Sequence, residues 1–222
     1  GELCANQCLG CCAVGIAIPA LAPYLDSLGA PDLYIAYAVS VYAVGELLGA
    51  LGVGVLYEVL AARRTVAHVP RLTIMLSIAV GLAGALLYSS AAVIGKPWLI
   101  ITGRLLQGLW TGGQQAAEQS YITEVVPQFR RTAVSARLGT YATLGLILGP
   151  ILGAGVSLLR IPLAPGLELN GYTAPGLLIA LLNATMLVCT RTMLGPETAP
   201  ATHPSRTASV SGSSDRTLRA PR

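Results

Sequence analysis

The chain has 222 residues, 54% of them hydrophobic and 11% charged, with a formal net charge of +4. Soluble domains carry about 25% charged residues, and here the charges cluster between long apolar runs. This excludes an ordinary water-soluble domain and predicts an all-α membrane protein, a six-transmembrane-helix bundle, because a bilayer core of about 30 Å takes about 20 helical residues.

Six segments have that length: about 7–25, 34–57, 72–94, 98–120, 138–160 and 174–194. The first has no basic leader and runs into Pro19 and Pro23 without a small-x-small cleavage site, so it reads as a span and not a signal peptide. Ahead of it, Cys4-x-x-x-Cys8-x-x-Cys11 has the spacing of a radical-SAM iron–sulfur motif. An apolar helix follows at once and no strand–helix alternation occurs, so neither a cofactor nor a metal is expected. Palmitoylation of Cys4, Cys8, Cys11 or Cys12 is the other use open to these thiols. The start at Gly1 and not Met suggests a truncated or processed N-terminus.

Span two carries Gly45, Gly49, Gly52 and Gly54, a packing pattern for close helix approach, and the intramembrane carboxylate Glu46. Glu46 can serve as a proton carrier or as a partner for Arg104, and the sequence leaves both open. Span three adds Gly81 and Gly84.

Span four holds the strongest functional signal. At about 100° per residue, Arg104, Gln107, Thr111, Gln115 and Glu118 fall within a sector of about 80°. A charge in hydrocarbon costs about 2.5–3.5 kcal/mol even on the lenient insertion scale, and such residues face the bundle interior or a water-filled cavity. Bonding between helices would explain part of this stripe, but not its run along nearly the whole span, which favours a cavity wall. Glu118 joins Glu46 as a candidate for proton coupling.

Span five reads Gly145-x-x-x-Gly149-Pro150-x-x-Gly153, a four-residue glycine ladder with a proline that gives up a backbone hydrogen bond. The bundle is expected over 1–194. Residues 195–222 are rich in Pro, Ser, Thr and Arg, and are expected to form a disordered cytoplasmic tail or linker. Arg63, Arg64 and Arg71 lie between spans two and three, and Arg130, Arg131 and Arg137 between spans four and five. Arg191 and the tail arginines follow span six. The positive-inside rule then puts both termini in the cytoplasm, and the basic charge needs no nucleic-acid partner.

These residues meet a known pattern. Arg104-x-x-Gln107-Gly108 resembles the fourth-helix motif of the major facilitator superfamily, and Gly145-x-x-x-Gly149-Pro150-x-x-Gly153-Ala154 its fifth-helix motif, associated with antiport. Gly54-Val-Leu-Tyr-Glu58 followed by Arg63-Arg64 is similar to its cytoplasmic gating-loop signature. There Glu58 replaces the usual Asp, Val59 a basic residue and Ala61 a Gly. Pro23-Tyr24-Leu25, Ser120-Tyr121-Ile122, Arg130-Arg131-Thr132 and Tyr172-Thr173-Ala174-Pro175-Gly176 resemble the lysosomal ceroid-lipofuscinosis-type facilitators and the SPX-linked vacuolar transporters. The resemblance covers about residues 15–195. It implies two six-helix halves rocking about a central site, lined by the first and fourth helices of each half. Arg104 would orient substrate or exchange partners with a carboxylate, and the Gly-Pro step would bend span five.

The expectation is therefore secondary active transport of a small molecule or ion, with the lipid bilayer as environment and a lysosomal or vacuolar location. A full facilitator has twelve spans, so the partner is a C-terminal half or a second copy. The readings rank as a fragment of a longer protein, a truncated product, then a dimerising half-transporter. A channel-like or non-transporting subunit is the alternative. No aquaporin box, mitochondrial-carrier repeat or intramembrane-protease serine with a membrane histidine occurs, and no enzyme is expected.

Overall fold

The computed structural model describes residues 2–62, 69–158, 161–164, 167–169 and 171–193. They form helices α1 (Glu2–Ser27), α2 (Leu33–Ala62), α3 (Val69–Ile94), α4 (Trp98–Val125), α5 (Gln128–Ser157) and α6 (Thr173–Met193). Two short strands, β1 (Ile161–Ala164) and β2 (Leu167–Leu169), pair antiparallel just before α6. The helical bundle is the expected fold. The small hairpin was not expected, and span five ends at Ser157 and not at 160.

Five helices, all but α4, are long and apolar enough to cross a membrane. α4 has the length, at 28 residues, but its glutamines, Arg104 and Glu118 make it too polar to qualify on composition. The bundle hides that polarity: Arg104, Gln107, Gln114 and Glu118 are all buried. The chain is an integral, multi-pass membrane protein.

The turns follow local chemistry. Gly95, at φ 70°, takes the left-handed position that closes α3, where its N–H and that of Lys96 bond Ala91 O at 2.8 and 3.3 Å. Pro97 then starts α4. Between α4 and α5 only Val126 and Pro127 intervene, so Arg130, Arg131 and Arg137 lie on α5 and not in a loop. Arg131 donates from Nε to Val126 O at 2.9 Å and from Nη2 to Thr123 O at 2.6 Å, satisfying carbonyls that the end of α4 leaves unpaired. α1 runs unbroken through Pro19 and Pro23, and α5 through Pro150.

α4 packs between α2 and α3, and α1 between α5 and α6, while α3 and α6 meet each other. Exchanging α1, α2, α3 for α4, α5, α6 leaves this pattern unchanged. The first and last three helices are thus equivalent in their packing, and they run in opposite directions, as in an inverted repeat. One core cluster gathers Ile16, Ile74, Ile78, Trp110, Ile179 and Met186. A second gathers Leu21, Tyr24, Leu25, Tyr88 and Ile100. There Tyr24 Oη donates to Tyr88 O at 2.9 Å, and its ring meets that of Tyr88 edge-on at 5.1 Å.

Candidate functional site

Glycines set where α4 sits. A Cβ at Gly45 would lie 2.5 Å from Leu105 O, and one at Gly49 would collide with the backbone of Leu109. From the other side, Gly108 and Gly112 face the carbonyls of Tyr42 and Glu46. Against α3, Gly84 and Gly103 face each other's helices, each with the other's carbonyl 2.9 Å from where its Cβ would be. The small residues of α2 do pack, but only at Gly45 and Gly49; Gly52 and Gly54 have open space beside them. Backbone contact on two sides fixes the rotation of α4 and so aims its polar face.

That face carries two groups of side chains. In the first, Arg104 Nη1 donates to Gln107 Oε1 at 2.9 Å, and the guanidinium lies over the Tyr42 ring at 4.4 Å, a cation–π contact. Tyr42 Oη donates to Thr111 Oγ1 at 3.0 Å, and Thr111 donates to Gln107 O at 2.9 Å. Arg104 Nε and Gln107 Nε2 are buried without a hydrogen-bond partner among the described residues. In the second group, Trp110 Nε1 donates to Gln114 Oε1 at 2.7 Å, and Gln114 Nε2 to Glu118 Oε1 at 2.8 Å.

The predicted stripe is thus only partly one surface. Arg104, Gln107 and Glu118 are buried, Thr111 is half-buried and Gln115 is exposed. Glu46 is half-buried and accepts one long hydrogen bond, 3.4 Å, from Gln115 Nε2. Pairing of Glu46 with Arg104 is not what the structure holds: among the described residues Arg104 is engaged by Gln107 and Tyr42 and by no carboxylate. A cleft with about 270 Å³ of empty space runs between α1 and α4, lined by Gln7, Cys11 and Val14 on one side and Trp110, Thr111, Gln114 and Gln115 on the other.

The other predicted residues lie elsewhere. Gly54 and Glu58 are on α2, which continues to Ala62, so they are helical and not part of a loop; Arg63 and Arg64 lie outside the described residues, as does the expected tail. Gly145, Gly149 and Gly153 press on α1 at Cys8, Cys12 and Ile16. Pro150 lacks the N–H that would bond Leu146 O, and Gly15 of α1 covers both: its Cβ would lie 3.1 Å from Pro150 Cδ and 3.2 Å from Leu146 O. Among the described residues no group of three or more His, Cys, Asp or Glu could hold a metal ion.

Sequence reading missed Tyr42, Trp110, Gln114 and Gln7. Gln114 falls about 40° from Glu118 and about 20° outside the predicted sector, and a wider sector would have included it. Tyr42 and Gln7 sit on other helices, and only packing brings them to α4.

The Major Facilitator Superfamily model matches residues 3–220, nearly the whole chain. The chain belongs to the Major Facilitator Superfamily. This makes it a member of a family of membrane transporters. Its curated relatives include SPX domain-containing membrane proteins of the indica and japonica subspecies of Oryza sativa, each 28% identical over 165 residues. That stretch covers 74% of this chain and 22% of the rice proteins, so the facilitator chain spans about a fifth of the length of these relatives.

Proposed function

We propose that this facilitator chain is the N-terminal six-helix half of a secondary active transporter that moves a small solute by alternating access. Both termini lie in the cytoplasm, and the membrane is lysosomal or vacuolar. The observation that carries the reading is a buried arginine with no carboxylate partner among the described residues, joined through Gln107 and Thr111 to the wall of the α1–α4 cleft. A guanidinium buried with its Nε unpaired is a costly arrangement. A solute or water that supplies acceptors to Arg104 Nε and Gln107 Nε2 removes that cost for as long as it stays. The site is then satisfied only when occupied, which is what a transient binding site requires. The low coverage of the rice relatives supports a second half beyond these helices. The glycine ladders on α2 and α5 keep their partners rigid, so a rocking motion would move the half as a unit.

The test is solute uptake with Arg104→Ala in the transport-competent protein. Uptake falls to background while membrane insertion and expression stay at wild-type levels; unchanged uptake refutes the role. Reconstitution of the chain alone separates the architectures. Saturable flux supports a half-transporter that pairs with a second copy, and unsaturable conductance supports a channel. Absence of flux supports a subunit that needs its other half.

A further inference from the structure

The row Trp110, Gln114, Glu118 occupies successive turns of α4, and each residue is buried, with 2%, 4% and 3% of its surface exposed. Its polarity is fixed by chemistry. The indole N–H can only donate, so Gln114 must turn its oxygen to Trp110, which leaves its amide nitrogen facing Glu118. Glu118 therefore has a neutral partner. Among the described residues, no cation lies within ion-pair distance of it. An ionised carboxylate buried this way is costly, and carrying a proton removes the charge. Glu46, by contrast, is half-buried with a long hydrogen bond to an exposed glutamine.

Trp110 and Gln114 also form part of the cleft wall, opposite Gln7 and Cys11. We infer that Glu118 is a proton-binding site loaded from the α1–α4 cleft, with Gln114 as the positioning residue that links its charge state to Trp110. The inference rests on reading that cleft as the solute path. Proton binding converts the Gln114–Glu118 bond from charge-assisted to neutral, which weakens it by about half. Hydrogen bonds in a chain polarise one another, so the bond from Trp110 to Gln114 weakens with it.

Other titratable groups on the surrounding helices define the controls. On α1, the Cys11 thiol lies within electrostatic reach of Glu118. α2 carries Glu46, Tyr57 and Glu58 along the same stretch, and α3 presents Thr73 and Ser77, which do not titrate. α5 carries Arg131, engaged on the end of α4, and the exposed Arg137 and Tyr141; α6 carries the buried Thr190 and the exposed Arg191.

The chain has two tryptophans, Trp98 and Trp110, so Trp98→Phe leaves Trp110 as the only indole. In lipid nanodiscs, the emission of the full chain with this substitution is recorded against pH. One single-proton transition is expected, absent in Glu118→Gln and retained in Glu46→Gln and Cys11→Ser. In Gln114→Leu the emission transition is lost, while infrared difference spectra still show a protonated-carboxyl band that vanishes at high pH. An emission transition that survives Glu118→Gln, or that disappears in Glu46→Gln or Cys11→Ser, overturns the assignment. If Glu118→Gln does not reach wild-type helix content, the infrared spectrum of the wild-type chain decides: the band must be present, and must shift in Glu118→Asp. None of these readouts involves solute flux, so the proton site and the transport reading fail independently.

Discussion

The α1–α5 contact allows a graded test of the packing. A Cβ at Gly149 would lie 2.6 Å from Cys12 O and 2.7 Å from Gly15 Cα, both backbone atoms that cannot rotate away. Carbon–oxygen contacts between helices settle at about 3.3–3.6 Å, so Gly149→Ala forces α1 and α5 apart by about 0.7 Å. Overpacking of this kind costs about 1–3 kcal/mol, and the better helix propensity of alanine returns up to about 1 kcal/mol. The net loss of about 1–2 kcal/mol raises the unfolded fraction about 5–30-fold. Gly153→Ala meets Ile16 O at 3.1 Å and costs less, and Gly155→Ala, with nothing within 4 Å, is neutral or stabilising. Equilibrium unfolding of the three variants in mixed detergent micelles, followed by far-UV circular dichroism, gives the order. Equal stabilities for Gly149→Ala and Gly155→Ala would refute the claim that steric contact with α1, and not helix propensity, sets the ladder.

Two further variants use the same assay. Tyr42→Phe removes the hydroxyl bond to Thr111 and keeps the ring beneath Arg104, so it costs about 0.5–1.5 kcal/mol, while Tyr42→Leu loses the cation–π contact as well and costs about 2 kcal/mol more. If the two variants are equally stable, the ring contributes nothing to holding Arg104. Asn183 of α6 is fully buried with neither amide atom bonded among the described residues, so Asn183→Leu is expected to be neutral or stabilising. A loss above about 1 kcal/mol would show that the amide holds a water or solute.

Much of this was legible in one sequence, because membrane helices follow a simple rule. A run of about 20 apolar residues must be helical, since hydrocarbon satisfies no backbone polar group, and so the bundle was readable from hydropathy. The helix ends were not: α5 starts at Gln128, ten residues before its apolar run, because Arg131 and Pro127 build a tight turn whose chemistry hydropathy does not register. The face of α4 was readable from periodicity, down to Arg104, Gln107 and Glu118. How the residues of that face divide was not. Gln115 and Glu118 lie about 60° apart on the helix wheel, yet one is exposed and the other buried, a division that packing and not periodicity decides. The choice between Glu46 as a proton carrier and as a partner for Arg104 was likewise a question of distance, which spacing along a chain cannot answer.

The packing symmetry explains why the cleft is lined by two helices. Gly45 and Gly49 of α2 meet α4 as Gly145 and Gly149 of α5 meet α1, backbone against backbone. α3 and α6 complete each set of three by packing on α4 and α1 and on each other. In both repeats, then, the first helix meets glycines on one side, from α2 or α5, packs on α3 or α6 on another, and leaves a third side free. Those free sides of α1 and α4 enclose the cleft. The repeats share this frame but not its contents: α4 lines the cleft with Trp110, Thr111, Gln114 and Gln115, whereas α1 lines it with Gln7, Cys11 and Val14. The scaffold is symmetric and its lining is not. On this reasoning, moving a charge onto the cleft side of α1 should disturb transport more than moving one onto the exposed side of α2. The comparison of Val14→Glu with Val44→Glu, scored by uptake at equal surface expression, tests it; equal losses would mean that the cleft is not the path.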